Sequence, residues 1–152
     1  MGKGAELSVD DWNRLLQAPL CAYSIVTAGK GTEAAFRRLR EELGASDGSF
    51  ADGTVGRSLA AAAAADLDTL WMAYLASGQD PRDGIRRAMK VLRRLPREEQ
   101  LAVRAWLLEL ALRVAEATRM LGEPSLSDPE RRAIGELAGQ LRVPVPDLHS
   151  RA

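Results

Sequence analysis

Apolar residues recur along the chain at intervals of three and four, and no alternating run of strand length interrupts them. The pattern predicts an all-α chain of about seven helices, folded as a single domain over residues 1–152 with flexible ends at 1–7 and 143–152. The first helix is expected from about Val9 to Gln17, opened by Ser8 and Asp11 as a capping-box-like pair. Pro19 lacks an N–H and clashes with the preceding turn, so a second helix is expected from Pro19 to Ala28, closed by Gly29 and Gly31. Thr32 caps a third that runs to Leu43, with Phe36, Leu39 and Leu43 on one face and Gly44 after its end.

Residues Gly44 to Gly56 form a Gly/Asp/Ser-rich connection. It is not a calcium loop: counted from Asp47, the sixth position is Asp52 rather than glycine and the twelfth is Ser58 rather than glutamate. A fourth helix is expected over Val55 to Ser77, beginning in the alanine run Ala60 to Ala65 and continuing in a core stripe of Leu67, Leu70, Trp71, Tyr74 and Leu75. Asp80 caps a fifth, with Pro81 in its first turn, ending near Leu95 before Pro96. The sixth, Pro96 to Leu121, is apolar on most sides and reads as the central helix, with Trp106 and Trp71 sharing one core beside Leu108 and Leu112. Ser127 and Glu130 form a capping box for the seventh, which carries Ile134, Leu137 and Leu141 before the extended tail Val143 to Pro146.

Composition narrows the chemistry. A chain of 152 residues with 46% hydrophobic and 28% charged residues is an ordinary globular domain. One cysteine, Cys21 in an apolar run, reads as a core residue and suits a reducing, cytoplasmic location. The start of the chain does not read as a signal peptide, and no run reaches the length needed to span a bilayer. One histidine, His149, permits no multi-histidine metal site within one chain and argues against a histidine-based triad. The segment Ala28 to Thr32 has a lysine between glycines but lacks the spacing and preceding strand of a phosphate loop. No nucleophile or base stands at a spacing that marks an enzyme, so none is expected.

The second-to-third and sixth-to-seventh helix pairs look alike, with Phe36, Leu39 and Leu43 aligning with Ile134, Leu137 and Leu141. Internal duplication and two hairpins of separate origin are both compatible with that. The stretches Leu15 to Leu43 and Leu107 to Leu141 resemble the two halves of the TerB-like, tellurite-resistance-related helical family. The resemblance implies a non-enzymatic binding or scaffold module in a bacterial metal- or stress-response complex. It also implies acidic turns able to hold a divalent cation, for which Glu33 and Glu130 are the candidates here, with Glu116, Glu123 and Asp128 nearby in sequence. Gly29-Lys30-Gly31 stands where the family has Asp-Gly, so weak or absent calcium and magnesium binding is expected and no cofactor is assigned. Asp128 and Glu130 have a simpler role open to them, favouring a helix N-terminus.

A net charge of zero conceals an asymmetry. Residues 82–97 carry +6 and the remainder −6. Arg82, Arg86, Lys90, Arg93 and Arg97 fall on one stripe, opposite Ile85, Ala88, Met89 and Leu92. Such a stripe binds an acidic protein partner or an anionic surface, or else pairs with acids elsewhere in the chain. No aromatic residue interleaves with it, so nucleic acid is not the expected partner.

Overall fold

The computed structural model describes residues 7–28, 32–117 and 126–144. Among these the chain is all-α, with no strand: α1 (Val9–Thr27), α2 (Glu33–Gly44), a short 3-10 turn (Ser46–Ser49), α3 (Val55–Ala65), α4 (Leu67–Ser77), α5 (Pro81–Leu92), α6 (Arg97–Ala117) and α7 (Asp128–Leu141). One core runs through the domain. No single helix is long and apolar enough to cross a membrane.

Two expected boundaries are corrected. Pro19 does not break the chain; α1 is continuous through it. Proline forfeits one hydrogen bond, to the carbonyl four residues back. Eleven residues of α1, Pro19 among them, are buried, and that packing outweighs a single lost bond. Conversely, the expected fourth helix is two helices, which meet at 88° on either side of Asp66. Alanine gives no side-chain stripe to fix the helix direction, so Leu59, Ala60 and Ala63 bury one way and Leu67 and Tyr74 another. An Arg40–Asp68 ion pair of 2.6 Å ties the start of α4 to α2. Leu75, expected in the core, is 54% exposed as a result.

The centre is shared. α6 buries Trp106, Leu107 and their neighbours as expected, but α1 packs against α5, α6, α7, α3 and α4. Trp106 is buried, donates its indole N–H to Ser46 Oγ at 2.8 Å and meets Phe50 edge-on at 5.4 Å. Trp71 packs against the same core but is only half-buried, in an aromatic group with Tyr23, Phe36 and Tyr74. The α1–α5 contact depends on Gly84, where an added Cβ would stand 2.3 Å from Cys21 Sγ. In the two helix pairs expected to be alike, Leu39, Leu43, Ile134, Leu137 and Leu141 are buried and Phe36 is half-buried. Both connecting turns, with Lys30 in one and Glu123 in the other, lie outside the described residues.

Candidate functional site

α5 is amphipathic as expected: Gly84, Ile85, Ala88, Met89, Val91 and Leu92 are buried, and Arg82, Arg86, Lys90, Arg93 and Arg97 are exposed. The stripe divides by partner. In its first half, Arg82 makes a two-pronged pair with Glu136 of α7, through Nε to Oε2 and Nη2 to Oε1. That pairing raises Arg82 above its ordinary pKa and lowers Glu136 below its own. Arg86 pairs with Asp83, and Arg87 off the stripe donates to Gln79 Oε1 at 2.9 Å. Arg94, also off the stripe, lies 2.7 Å from the buried Asp11 of α1.

In the second half no acid arrives. Among the described residues Lys90, Arg93 and Arg97 form no ion pair; two further cations approach instead. Arg104 stands two turns beyond Arg97 on α6, and Arg142 ends α7 in a left-handed conformation (φ 57°). Arg104 donates through Nη2 to Gln100 Oε1 at 3.0 Å. The Gln100 amide donates in turn to the Leu95 carbonyl (2.8 Å) and the Arg93 carbonyl (3.4 Å) at the end of α5. Arg104 Nε is buried with no acceptor. Burial depresses the Arg104 pKa first, and the charges of Arg142, Arg93 and Arg97 depress it further. The acids of the α6 first turn look the other way: Glu99 accepts the Val55 N–H at 2.7 Å, and Glu98 lines a recess with Phe50 and Thr54.

Arg104 and Arg142 were not on the sequence-predicted stripe. Arg97 and Arg104, seven residues apart on one helix, were a readable signal. Arg142 was not, because its place depends on how α7 packs.

The other candidates stand apart from this cluster. Glu33 is almost wholly exposed and 3.5 Å from Arg37. Glu130 completes the α7 capping box, accepting the Ser127 N–H at 2.9 Å, while Asp128 pairs with Arg131. Among the described residues no group of three His, Cys, Asp or Glu is gathered as a metal site would require. Cys21 is fully buried, and burial pushes its thiol up to about 12. His149 lies outside the described residues.

A cavity of about 730 Å³ that the sequence did not reveal lies between α1, α2, α4 and α5, lined by Tyr23, Phe36, Trp71, Tyr74, Glu33 and Asp80 among others. Its rings pack on one another at 5.5–5.8 Å between centroids, and Arg40 covers Phe36. Asp80, expected to cap α5, makes no side-chain capping bond.

Compared with family models, curated proteins and solved structures, the chain has no match. The arginine cluster is the arrangement with a chemical direction of its own: it gathers positive charge and, among the described residues, no acid pairs with it.

Proposed function

We propose that the chain is a non-enzymatic binding module that seats an acidic protein partner on Arg93, Arg97, Arg104 and Arg142, with Lys90 at the rim. The observation that carries this is the second half of the stripe, where exposed Lys90, Arg93 and Arg97 meet no acid among the described residues and Arg104 and Arg142 add to the same positive field. Like charges held near one another are costly. An acidic partner supplies acceptors and opposite charge together, so the arrangement suits the bound state better than the free one. The non-enzymatic reading draws support from the chemistry of Cys21, whose buried, raised thiol is a poor nucleophile. The TerB-like resemblance adds the expectation that the partner belongs to a cytoplasmic stress-response complex.

The test is retention of poly-glutamate on the immobilised protein as salt rises. Retention is expected at low salt and lost by about 0.5 M, where screening acts within a few ångströms. Arg93 and Arg97 together replaced by Glu should abolish it, while Arg86→Glu should leave most of it. Equal retention by the double variant overturns the proposal.

A further inference from the structure

We propose that the cavity between α1, α2, α4 and α5 binds a small organic cation, an ammonium group carried on an aromatic or alkyl body. Its volume, about 730 Å³, lies within the range of pockets that enclose small molecules. The site is separate from the arginine cluster. Its wall is built from Tyr23 of α1, Phe36 of α2 and Trp71 of α4, whose rings stand 5.5–5.8 Å apart between centroids. Each ring buttresses the other two, so the wall is set before any ligand arrives. Tyr23 is buried, whereas Phe36 and Trp71 keep part of their surface open. Leu75 lines the same cavity and is 54% exposed, although its side chain is apolar. An apolar body entering here would take that surface out of water.

Charge decides what else the ligand carries. Among the described residues the charged side chains lining the cavity are Glu33, Asp80 and Arg82. Arg82 is already engaged, its fork closed on Glu136 of α7. Asp80 is not. It stands at the N-cap of α5, where an aspartate ordinarily accepts a backbone N–H, yet its side chain makes no capping bond. The nearest arginines in sequence, Arg82 and Arg86, pair with Glu136 and Asp83 instead. Glu33 has an exposed partner, Arg37 at 3.5 Å, and such pairs are weak. The helix ends do not reverse this balance. The N-termini of α2 and α5 each lend about half a positive charge, less than the full charge of the acid beside it, and the C-terminus of α1 lends the opposite sign. Aromatic faces attract cations too, and Arg40 already lies over the Phe36 ring at 5.6 Å. Rings, an uncommitted carboxylate and an arginine already neutralised call for a positively charged ligand with an apolar body.

The experiment titrates the full chain, at matched ionic strength, with three probes that share one ring: phenylethylammonium, the neutral phenylethanol and the anionic phenylacetate. Calorimetry is expected to show the ammonium binding about tenfold more tightly than the alcohol, the effect of one charge-assisted hydrogen bond, and the carboxylate not at all. Asp80→Asn should bring the ammonium down to the affinity of the alcohol. It should leave the unliganded melting temperature unchanged or higher, because the aspartate makes no capping bond to lose. Binding should also change the tryptophan fluorescence, and Trp71→Phe should remove that signal, since Trp12 and Trp106 do not line the cavity. Arg93→Glu with Arg97→Glu should alter none of this, which separates the site from the acidic-partner reading. Equal affinity for ammonium and alcohol overturns the proposal, as does tighter binding of the carboxylate. An ammonium preference that survives Asp80→Asn puts the cation elsewhere and overturns it, and so does a fluorescence signal that survives Trp71→Phe. Absence of ammonium binding by about 10 mM overturns it too, because a formed pocket holds even a ligand of this size at millimolar concentration.

Discussion

The two halves of the basic stripe are made of the same kind of residue, and they differ in what neighbouring helices bring to them. At the start of α5, α7 presents Glu136 to Arg82, and Asp83 answers Arg86. At its end, α6 and α7 present Arg104 and Arg142 instead. Exposed pairs of the first kind are worth about 0–1 kcal/mol each, so the first half is close to neutral in stability and nearly silent as a field. The second half keeps its charge. A helix with a row of cations is therefore not by itself a binding surface; the packing of other helices decides which cations remain available.

The comparison breaks most completely if the scaffold under either half gives way. Trp106→Ala should cost about 3–5 kcal/mol, since it empties a buried site and leaves Ser46 without its indole partner. Denaturant unfolding measures this. Arg104 stands two residues away, so anion binding should weaken in parallel. Gly84→Ala should cost about 1–3 kcal/mol, because the new methyl meets Cys21 Sγ and forces α5 away from α1. A loss below about 0.5 kcal/mol would show the contact to be softer than ordinary core packing. The same variant should make Cys21 react faster with a thiol reagent in folded protein than the parent thiol, which is buried.

Much of this geometry was legible in the sequence and some was not, for definite reasons. Helix class, the capping boxes at Ser8 and Ser127 and the amphipathic register of α5 follow from local spacing, and the structure has each of them. Pro19 and Asp66 were misjudged because burial of distant residues decides them: packing keeps α1 continuous through proline and turns the alanine-rich segment through 88°. The site was half legible. Arg93 and Arg97 lie on the predicted stripe, but Arg142 joins them only through the packing of α7. Nothing local distinguishes Arg82, which meets Glu136, from Arg97, which meets other cations. The aromatic cavity was hidden for the same reason, its rings coming from three separate helices.

Acid should sharpen the comparison at its midpoint. The Arg94 guanidinium and the Ser8 backbone N–H hold Asp11 at about 2, below the ordinary 3.8. A carboxyl depressed in the folded state contributes stability that is full above the unfolded pKa and is lost as pH falls through the folded one. The Asp11 contribution is therefore expected intact above about pH 4 and progressively lost from there to about pH 2. Asp11→Asn should flatten that part of the stability profile, measured by thermal melts across the range. It should also release Arg94 and so strengthen anion binding at neutral pH. A profile unchanged by the substitution would separate the Asp11–Arg94 contact from acid stability.

The smallest expected effect is also the most direct test of why the halves differ. Glu136→Gln removes the acid that meets Arg82 while keeping the size of the side chain. Arg82 and Glu136 are both about half exposed, so the change should cost no more than about 1 kcal/mol. Its electrical consequence is larger than its energetic one, because it leaves the start of α5 with an unneutralised cation. If pairing is what silences the first half, the variant should gain weak, salt-sensitive anion binding that Arg82→Gln in the same background removes. If instead the bracing of Arg104 by Gln100 makes the second half a site, that gain should stay far below the affinity of the arginine cluster, since no comparable strut holds Arg82. An affinity equal to that of the cluster would mean that net charge alone governs binding, and that the arrangement around Arg104 adds nothing to it.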